Sequence, residues 1–127
     1  MAGDYQIRTK FLTTALQQLG LVLQEDMFAT KKNAKCKIYY SPTQEDTAAG
    51  TGGLQAIWSN KVVFLNPPLI LMGQVVQKQH IVSNCTAVVI AIIIDSNSVL
   101  IPILFYSRLQ LESQFISFSF VAEAKCS

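Results

Sequence analysis

Charged residues are scarce in this sequence, at 14% of 127 residues, and they leave a net charge of only +2. So small a charge does not demand a nucleic-acid partner, and it does not exclude one. Half of the residues are hydrophobic. A chain with many core-forming residues and few solubilising charges is expected to expose apolar surface, and we expect protein partners to cover it.

Metal and disulfide signals are also missing. The three cysteines, Cys36, Cys85 and Cys126, form no Cys-x-x-Cys pair, and the single histidine, His80, has no partner at metal-ligand spacing. This pattern argues against a zinc site or a disulfide scaffold and favours an intracellular, reducing compartment. The N-terminus lacks the apolar core of a signal peptide, and the longest apolar run, Ala87 to Ile94, is too short to span a bilayer.

Hydrophobic periodicity predicts alternating helices and strands. Apolar residues at helical spacing predict helices over residues 7–19, ended by Gly20, and over Leu69 to Val82. Strands are predicted at Leu21–Leu23, Cys36–Tyr40, Lys61–Leu65, Thr86–Ile94 and Phe115–Val121, with a helical turn at Leu54–Trp58, a distorted helix at Val99–Tyr106 and a loop over Thr43–Gly53. We therefore predict one α/β domain over residues 1–127 with a mostly parallel sheet, its last part, 106–127, being an edge strand and tail.

Three predicted strands end in polar side chains, namely Asp26, Asn66 and Asp95. The carboxyl ends of parallel strands share one edge of the sheet, where ligands of open α/β sheets bind. Asn66 is followed by Pro67 and Pro68, which cannot continue a central strand because neither supplies an N–H. A polar side chain before a rigid turn at this edge is a candidate site.

Several short motifs, taken in order, resemble the phage-type DNA adenine methyltransferases (the Dam family), including the Dam-like domain of tyrosine-recombinase retroelements. They cover roughly residues 5 to 105 and comprise Asp26-Met27-Phe28-Ala29-Thr30, Asn33-Ala34-Lys35-Cys36, Tyr39-Tyr40-Ser41, Leu54 to Trp58 and Asn66-Pro67-Pro68. The resemblance implies a Rossmann-like methyltransferase sheet, S-adenosylmethionine as cofactor and methylation of the exocyclic amino group of adenine in DNA.

The resemblance also implies roles for single residues. Asn66, Pro67, Pro68 and Leu69 occupy the catalytic tetrapeptide, in which the Asn side chain and the first Pro carbonyl accept hydrogen bonds from the adenine amino group. The aromatic residue that follows in the family stacks on a base flipped out of the duplex. Asp26, Phe28 and Asn33 fall at positions near the cofactor.

This chain departs from the family at the last tetrapeptide position, because Leu69 offers no aromatic ring. The family's Thr-Pro ahead of the first helix is also missing, since Arg8-Thr9 stands there. We therefore expect a degenerate copy in which methyl transfer is lost or very weak, serving as a structural or binding subunit of a larger assembly. The alternatives are an active S-adenosylmethionine-dependent adenine methyltransferase and an unrelated α/β protein.

Simpler interpretations apply to several of these residues. Asp26 could serve only to accept backbone N–H groups in a turn, and Trp58 and Cys36 to fill the core. The basic cluster formed by Lys31, Lys32, Lys35 and Lys37 either contacts the phosphates of DNA or RNA or forms a solvated turn.

Overall fold

In the part of the chain that the structure describes, seven strands form one sheet in the order β3-β2-β1-β4-β5-β6-β7. The computed structural model describes residues 9–94, 96–98, 100–109 and 116–123. Within them the elements are α1 (Thr9–Leu19), β1 (Glu25–Asp26), β2 (Ile38–Ser41), β3 (Gly50–Thr51), β4 (Lys61–Leu65), α2 (Met72–Ile81), β5 (Cys85–Ile94), β6 (Leu100–Leu109) and β7 (Ile116–Glu123). Short 3₁₀ turns, Gly53–Gln55 and Leu69–Leu71, precede β4 and α2.

The first five strands are parallel, and β6 and β7 continue the sheet antiparallel. The predicted α/β class with a mostly parallel, Rossmann-like sheet is therefore confirmed. The α2 helix makes the crossover between the parallel strands β4 and β5, as is usual for such a connection. The connection from β1 to β2 contains turns and no helix.

The sheet is covered on both faces, which explains the continuous apolar sequence of β4 and β5. Because side chains alternate along a strand, Phe64 packs with α1, whereas its neighbours Val63 and Leu65 pack with α2. The α1 side buries Leu12, Ala15, Phe64, Val88, Ile90 and Leu104, and the α2 side buries Met27, Trp58, Val63, Leu65, Val75, Cys85, Ala87 and Val89.

Local sequence sets the ends of both helices. After α1, Gly20 adopts φ 68, a left-handed conformation typical of glycine at a helix end, and its N–H donates to the Gln17 carbonyl. The prolines before α2 end β4, and the 3₁₀ turn Leu69–Leu71 leads into the helix. The predicted helix over Leu69 to Val82 thus has a 3₁₀ start and an α-helical body.

Two predictions of local structure were wrong. The segment Val99 to Tyr106 is not a distorted helix, because Leu100–Leu109 forms β6. Pro102 pairs with Ile92 on β5, and within the described residues the pairing of β6 with β7 begins at Ile103. The predicted loop over Thr43–Gly53 contains β3, which pairs with the end of β2.

The first predicted strand is shifted. Leu21 to Leu23 is not a strand, because β1 contains only Glu25 and Asp26. The side chains of Leu21 to Leu23 nevertheless alternate, with Leu21 and Leu23 packed against the α1 side of the core and Val22 exposed. The second strand begins at Ile38 rather than Cys36. Asp95 lies outside the described residues. No helix in the described part of the chain is long and apolar enough to cross a membrane.

Candidate functional site

A pocket of about 430 Å³ opens at the carboxyl ends of β1, β2 and β4. This is the edge of the sheet at which the sequence predicts a site. The segments that follow β1, β2 and β4 line it, together with the 3₁₀ turn before β4 and the start of α2. The lining residues are Met27, Phe28, Ala29, Thr30, Asn33, Ser41, Pro42, Gly52, Gly53, Leu54, Gln55, Asn66, Pro67, Pro68, Leu69, Leu71 and Gln74.

Most of the residues singled out from the sequence meet in this pocket. Six line it: Phe28, Asn33, Asn66, Pro67, Pro68 and Leu69. Asp26 does not line the pocket, although it immediately precedes the lining segment that starts at Met27. Segments far apart in sequence thus converge because β1 and β4 are neighbours in the sheet.

Asp26 is directed into the protein rather than into the pocket. Its carboxylate accepts the backbone N–H of Phe28 at Oδ1 (3.3 Å) and that of Lys35 at Oδ2 (2.9 Å), and its side chain is 1% exposed. Burial raises the pKa of Asp26 from 3.8 to about 6, and the two backbone hydrogen bonds partly oppose that rise. These contacts match the simpler interpretation, in which Asp26 shapes the chain after β1.

Asn33 has a similar local role. Its side-chain oxygen accepts the backbone N–H of Thr30 at 2.7 Å, and its own N–H donates to the Thr30 carbonyl at 3.1 Å. This reciprocal pair closes the turn after β1 and fixes two residues of the pocket lining. The side-chain oxygen of Asn33 is therefore already engaged in holding the turn.

The Asn66-Pro67-Pro68 segment leaves β4 in an extended conformation, with Pro67 buried and Pro68 exposed at φ −56 and ψ 147. Leu69 begins the following 3₁₀ turn and is 65% exposed, although it lines the pocket. The next residue, Ile70, is 87% exposed and does not line it. Leu69 is thus the rim residue at the position where the resemblance requires an aromatic ring.

One side of the pocket, formed by residues 52–55 and here called the pocket wall, is not predicted from the sequence. It lies against the end of β1 so closely that a Cβ on Gly53 would be 1.7 Å from the Met27 carbonyl oxygen. The Gly52-Gly53 pair was the available signal, because adjacent glycines often mark a close backbone approach. Both glycines fall in the predicted loop over Thr43–Gly53, for which the sequence predicts no site.

The chemistry of the lining is neutral. None of the lining residues carries a charged side chain, and the polar groups are the hydroxyls of Thr30 and Ser41 and the amides of Asn33, Gln55, Asn66 and Gln74. Such a lining suits an uncharged ring with hydrogen-bonding edges. A ligand with free charges would find no ionic partner among these side chains.

The basic cluster follows the pocket-lining turn in sequence. Lys31, Lys32 and Lys37 are exposed, and Lys35 is half-buried. The backbone N–H of Lys31 donates a hydrogen bond of 3.1 Å to the Glu45 side-chain carboxylate, which fixes the backbone at the start of the cluster. Among the described residues, no group of histidine, cysteine, aspartate or glutamate side chains could hold a metal ion.

Comparison with known proteins found no matching family model, no matching curated protein and no matching solved structure. Membership of the Dam family therefore remains a proposal, argued from the residues of this chain.

Proposed function

We propose that this chain is a degenerate Dam-like methyltransferase domain that no longer transfers methyl groups and acts as a binding or structural subunit of a larger, nucleic-acid-containing assembly. The observation that carries the proposal is Leu69 at the pocket rim. Stacking of a base on an aromatic ring contributes about 1–3 kcal/mol. Without that ring, capture of a flipped adenine is weaker by about tenfold to a hundredfold.

The surroundings of Asp26 and Asn33 support the same proposal. Both residues fall at positions that the resemblance associates with S-adenosylmethionine, yet the Asp26 carboxylate accepts two backbone N–H groups and Asn33 closes a turn. The sulfonium, ammonium and carboxylate of S-adenosylmethionine would meet a lining without charged side chains. The cofactor would therefore lose hydration without gaining ionic partners.

The subunit role is supported by exposed apolar side chains. Val22, Ile57, Ile70 and Ile81 are each at least two-thirds exposed. Contiguous apolar patches mark protein interfaces, and these are the side chains on this chain that a partner would cover. A nucleic-acid contact would use the exposed lysines of the basic cluster. The free thiols of Cys36 and Cys85 fit a reducing compartment.

The decisive experiment measures S-adenosylmethionine binding by calorimetry and methyl transfer to adenine-containing DNA. We expect no transfer by the natural chain. Leu69→Tyr should tighten binding of an adenine-containing oligonucleotide about tenfold by restoring a stacking surface. Ile70→Tyr is the matched control, because it adds the same ring one residue outside the pocket and should leave binding unchanged.

The second candidate is an active DNA adenine methyltransferase. It is favoured by one observation, namely that Asn66 and Pro67 line the same pocket as Phe28. In that function the Asn66 side chain and the Pro67 carbonyl would accept hydrogen bonds from the adenine amino group, leaving its lone pair to attack the methyl group of S-adenosylmethionine. Methyl transfer by the natural chain that Asn66→Ala abolishes would establish this function and overturn the first.

A further inference from the structure

The pocket wall is a short segment with few internal contacts. Within it, the Gln55 N–H donates to Gly52 at 3.2 Å, and the Ala56 N–H just after it donates to Gly53 at 3.1 Å. Gly52 adopts φ 83, and its N–H ties the start of the wall to the Ser41 carbonyl at 2.9 Å. A segment of this kind depends on surrounding side chains to hold its position.

Two side chains from outside the wall supply that support. Trp58, which is buried, donates its indole N–H to the Gly53 carbonyl at 2.8 Å. Lys78 on α2 donates from Nζ to the carbonyl of Leu54 at 2.7 Å and to that of Ala56. Lys78 is half-buried and its Nζ lies 4.5 Å from the centre of the Trp58 ring, within cation–π distance.

The position of Lys78 on α2 connects this support to the other side of the pocket. Gln74, which lies one helical turn before Lys78, lines the pocket directly. The same helix therefore contributes one side chain to the lining and one to the carbonyl groups of Leu54, in the pocket wall, and of Ala56, just after it. Since an ammonium group beside carbonyl oxygens makes charge-assisted hydrogen bonds, this connection is stronger than a neutral one.

We propose that Lys78 is a positioning residue that sets the width of the pocket, by fastening the carbonyl groups of Leu54 and Ala56 to α2 beside the Trp58 ring. The pocket wall keeps its place while this contact persists and moves away from α2 when it is lost. The proposal deepens the binding role proposed above and rests on it where ligand affinity is concerned. The connection between Lys78 and the wall stands on the described contacts alone.

The test compares Lys78→Met with the natural chain by amide hydrogen exchange. The variant keeps the aliphatic stem and loses the charge and the donors. We expect exchange at Gln55 and Ala56 to rise at least tenfold, with no matching rise at Phe64 or Val88 in the sheet. Gln77→Met is the matched control on the exposed side of the same helix. It should leave exchange unchanged both at Gln55 and Ala56 and in the sheet.

A second measurement uses the adenine-containing oligonucleotide as the probe in calorimetry, with an expected affinity loss of about tenfold in Lys78→Met. If the natural chain does not bind the oligonucleotide, the proposed binding role fails, but hydrogen exchange still decides the role of Lys78. Unchanged exchange at residues 54–56, or an equal rise throughout the sheet, would overturn the proposal. If Lys78→Met does not fold, Lys78→Gln, which is too short to reach both carbonyls, provides the same comparison.

Discussion

Asp26 accepts the backbone N–H of Lys35 in a hydrogen bond of 2.9 Å, which joins the end of β1 to the chain just before β2. The same carboxylate holds the N–H of Phe28, so one buried side chain shapes both ends of the turn that lines the pocket. Its ionisation is therefore coupled to the shape of the pocket.

The pH dependence of stability should reveal this carboxylate. Because the pKa of Asp26 is raised from 3.8 to about 6, the folded protein binds more protons than the unfolded chain between those values. The contribution of Asp26 to the free energy of unfolding is therefore largest below about pH 4 and is lost as the pH rises through 6, by about 3 kcal/mol in total. Urea unfolding of the natural chain and Asp26→Asn at several pH values measures it.

In that comparison, the stability difference between the two proteins should change in favour of Asp26→Asn as the pH rises from 4 to 7. The Asn variant has a constant cost of about 1 kcal/mol, because its amide nitrogen cannot accept the second backbone N–H. A difference that stays the same at every pH would show that Asp26 does not titrate in this range.

Gly53 should tolerate no side chain. A Cβ there would be 1.7 Å from the Met27 carbonyl oxygen, so Gly53→Ala must displace the pocket wall or β1. We expect a loss of about 3 kcal/mol in the free energy of unfolding. Gly73→Ala is the control, since nothing lies within 4 Å of the added carbon on α2 and alanine favours helix. Equal stability of the two variants would contradict the close packing of the wall.

The thiols of Cys36 and Cys85 should react slowly. Burial raises the pKa of Cys36 to about 12 and that of Cys85 to about 11, and the nearby carboxylates of Asp26 and Glu25 add to the rise at Cys36. Alkylation at pH 8 of a Cys126→Ser variant should be slower than that of a free thiol by about a thousandfold or more at Cys36 and by about a hundredfold or more at Cys85. Both thiols should label rapidly in denaturant. Rapid labelling of Cys36 in the folded protein would refute this prediction.

The basic cluster should carry any nucleic-acid binding. If DNA contacts Lys31, Lys32 and Lys37, replacing all three by alanine should lower the slope of log affinity against log salt by about 2–3. Lys10→Ala is the control, because Lys10 is exposed on α1, away from the cluster in sequence. Filter binding at several salt concentrations measures the slopes, and an unchanged slope in the triple variant would assign the cluster to a solvated turn.

The sequence predicted the central elements well, because long periodic segments leave few alternatives. β4 occupies the predicted residues Lys61 to Leu65, and β5 extends the predicted Thr86–Ile94 by one residue. The pocket position followed from the polar end of β4 and the prolines after it. In each case, the residues of a single segment were enough to predict the structure.

Predictions failed where the structure depends on distant partners. β3 has only two residues and forms because its backbone pairs with the end of β2. β6 contains Pro102, which on local grounds argues against a strand, and it forms because it pairs along its whole length with β5. Similarly, no local pattern announces that Lys78 contacts carbonyl groups more than twenty residues earlier in the chain, at Leu54 and Ala56.

The two halves of the sheet differ in how far along the chain their partners lie. β5, β6 and β7 follow one another in the chain and pair in that order. β1 instead pairs with β4, so that Glu25 lies beside Val63 although β2 and β3 come between them in the sequence. Contacts between distant segments form later in folding because their loop-closure entropy must be overcome first. We therefore expect pulse-labelling during refolding to protect β5 and β6 before β1, which makes assembly of the pocket a late step in folding.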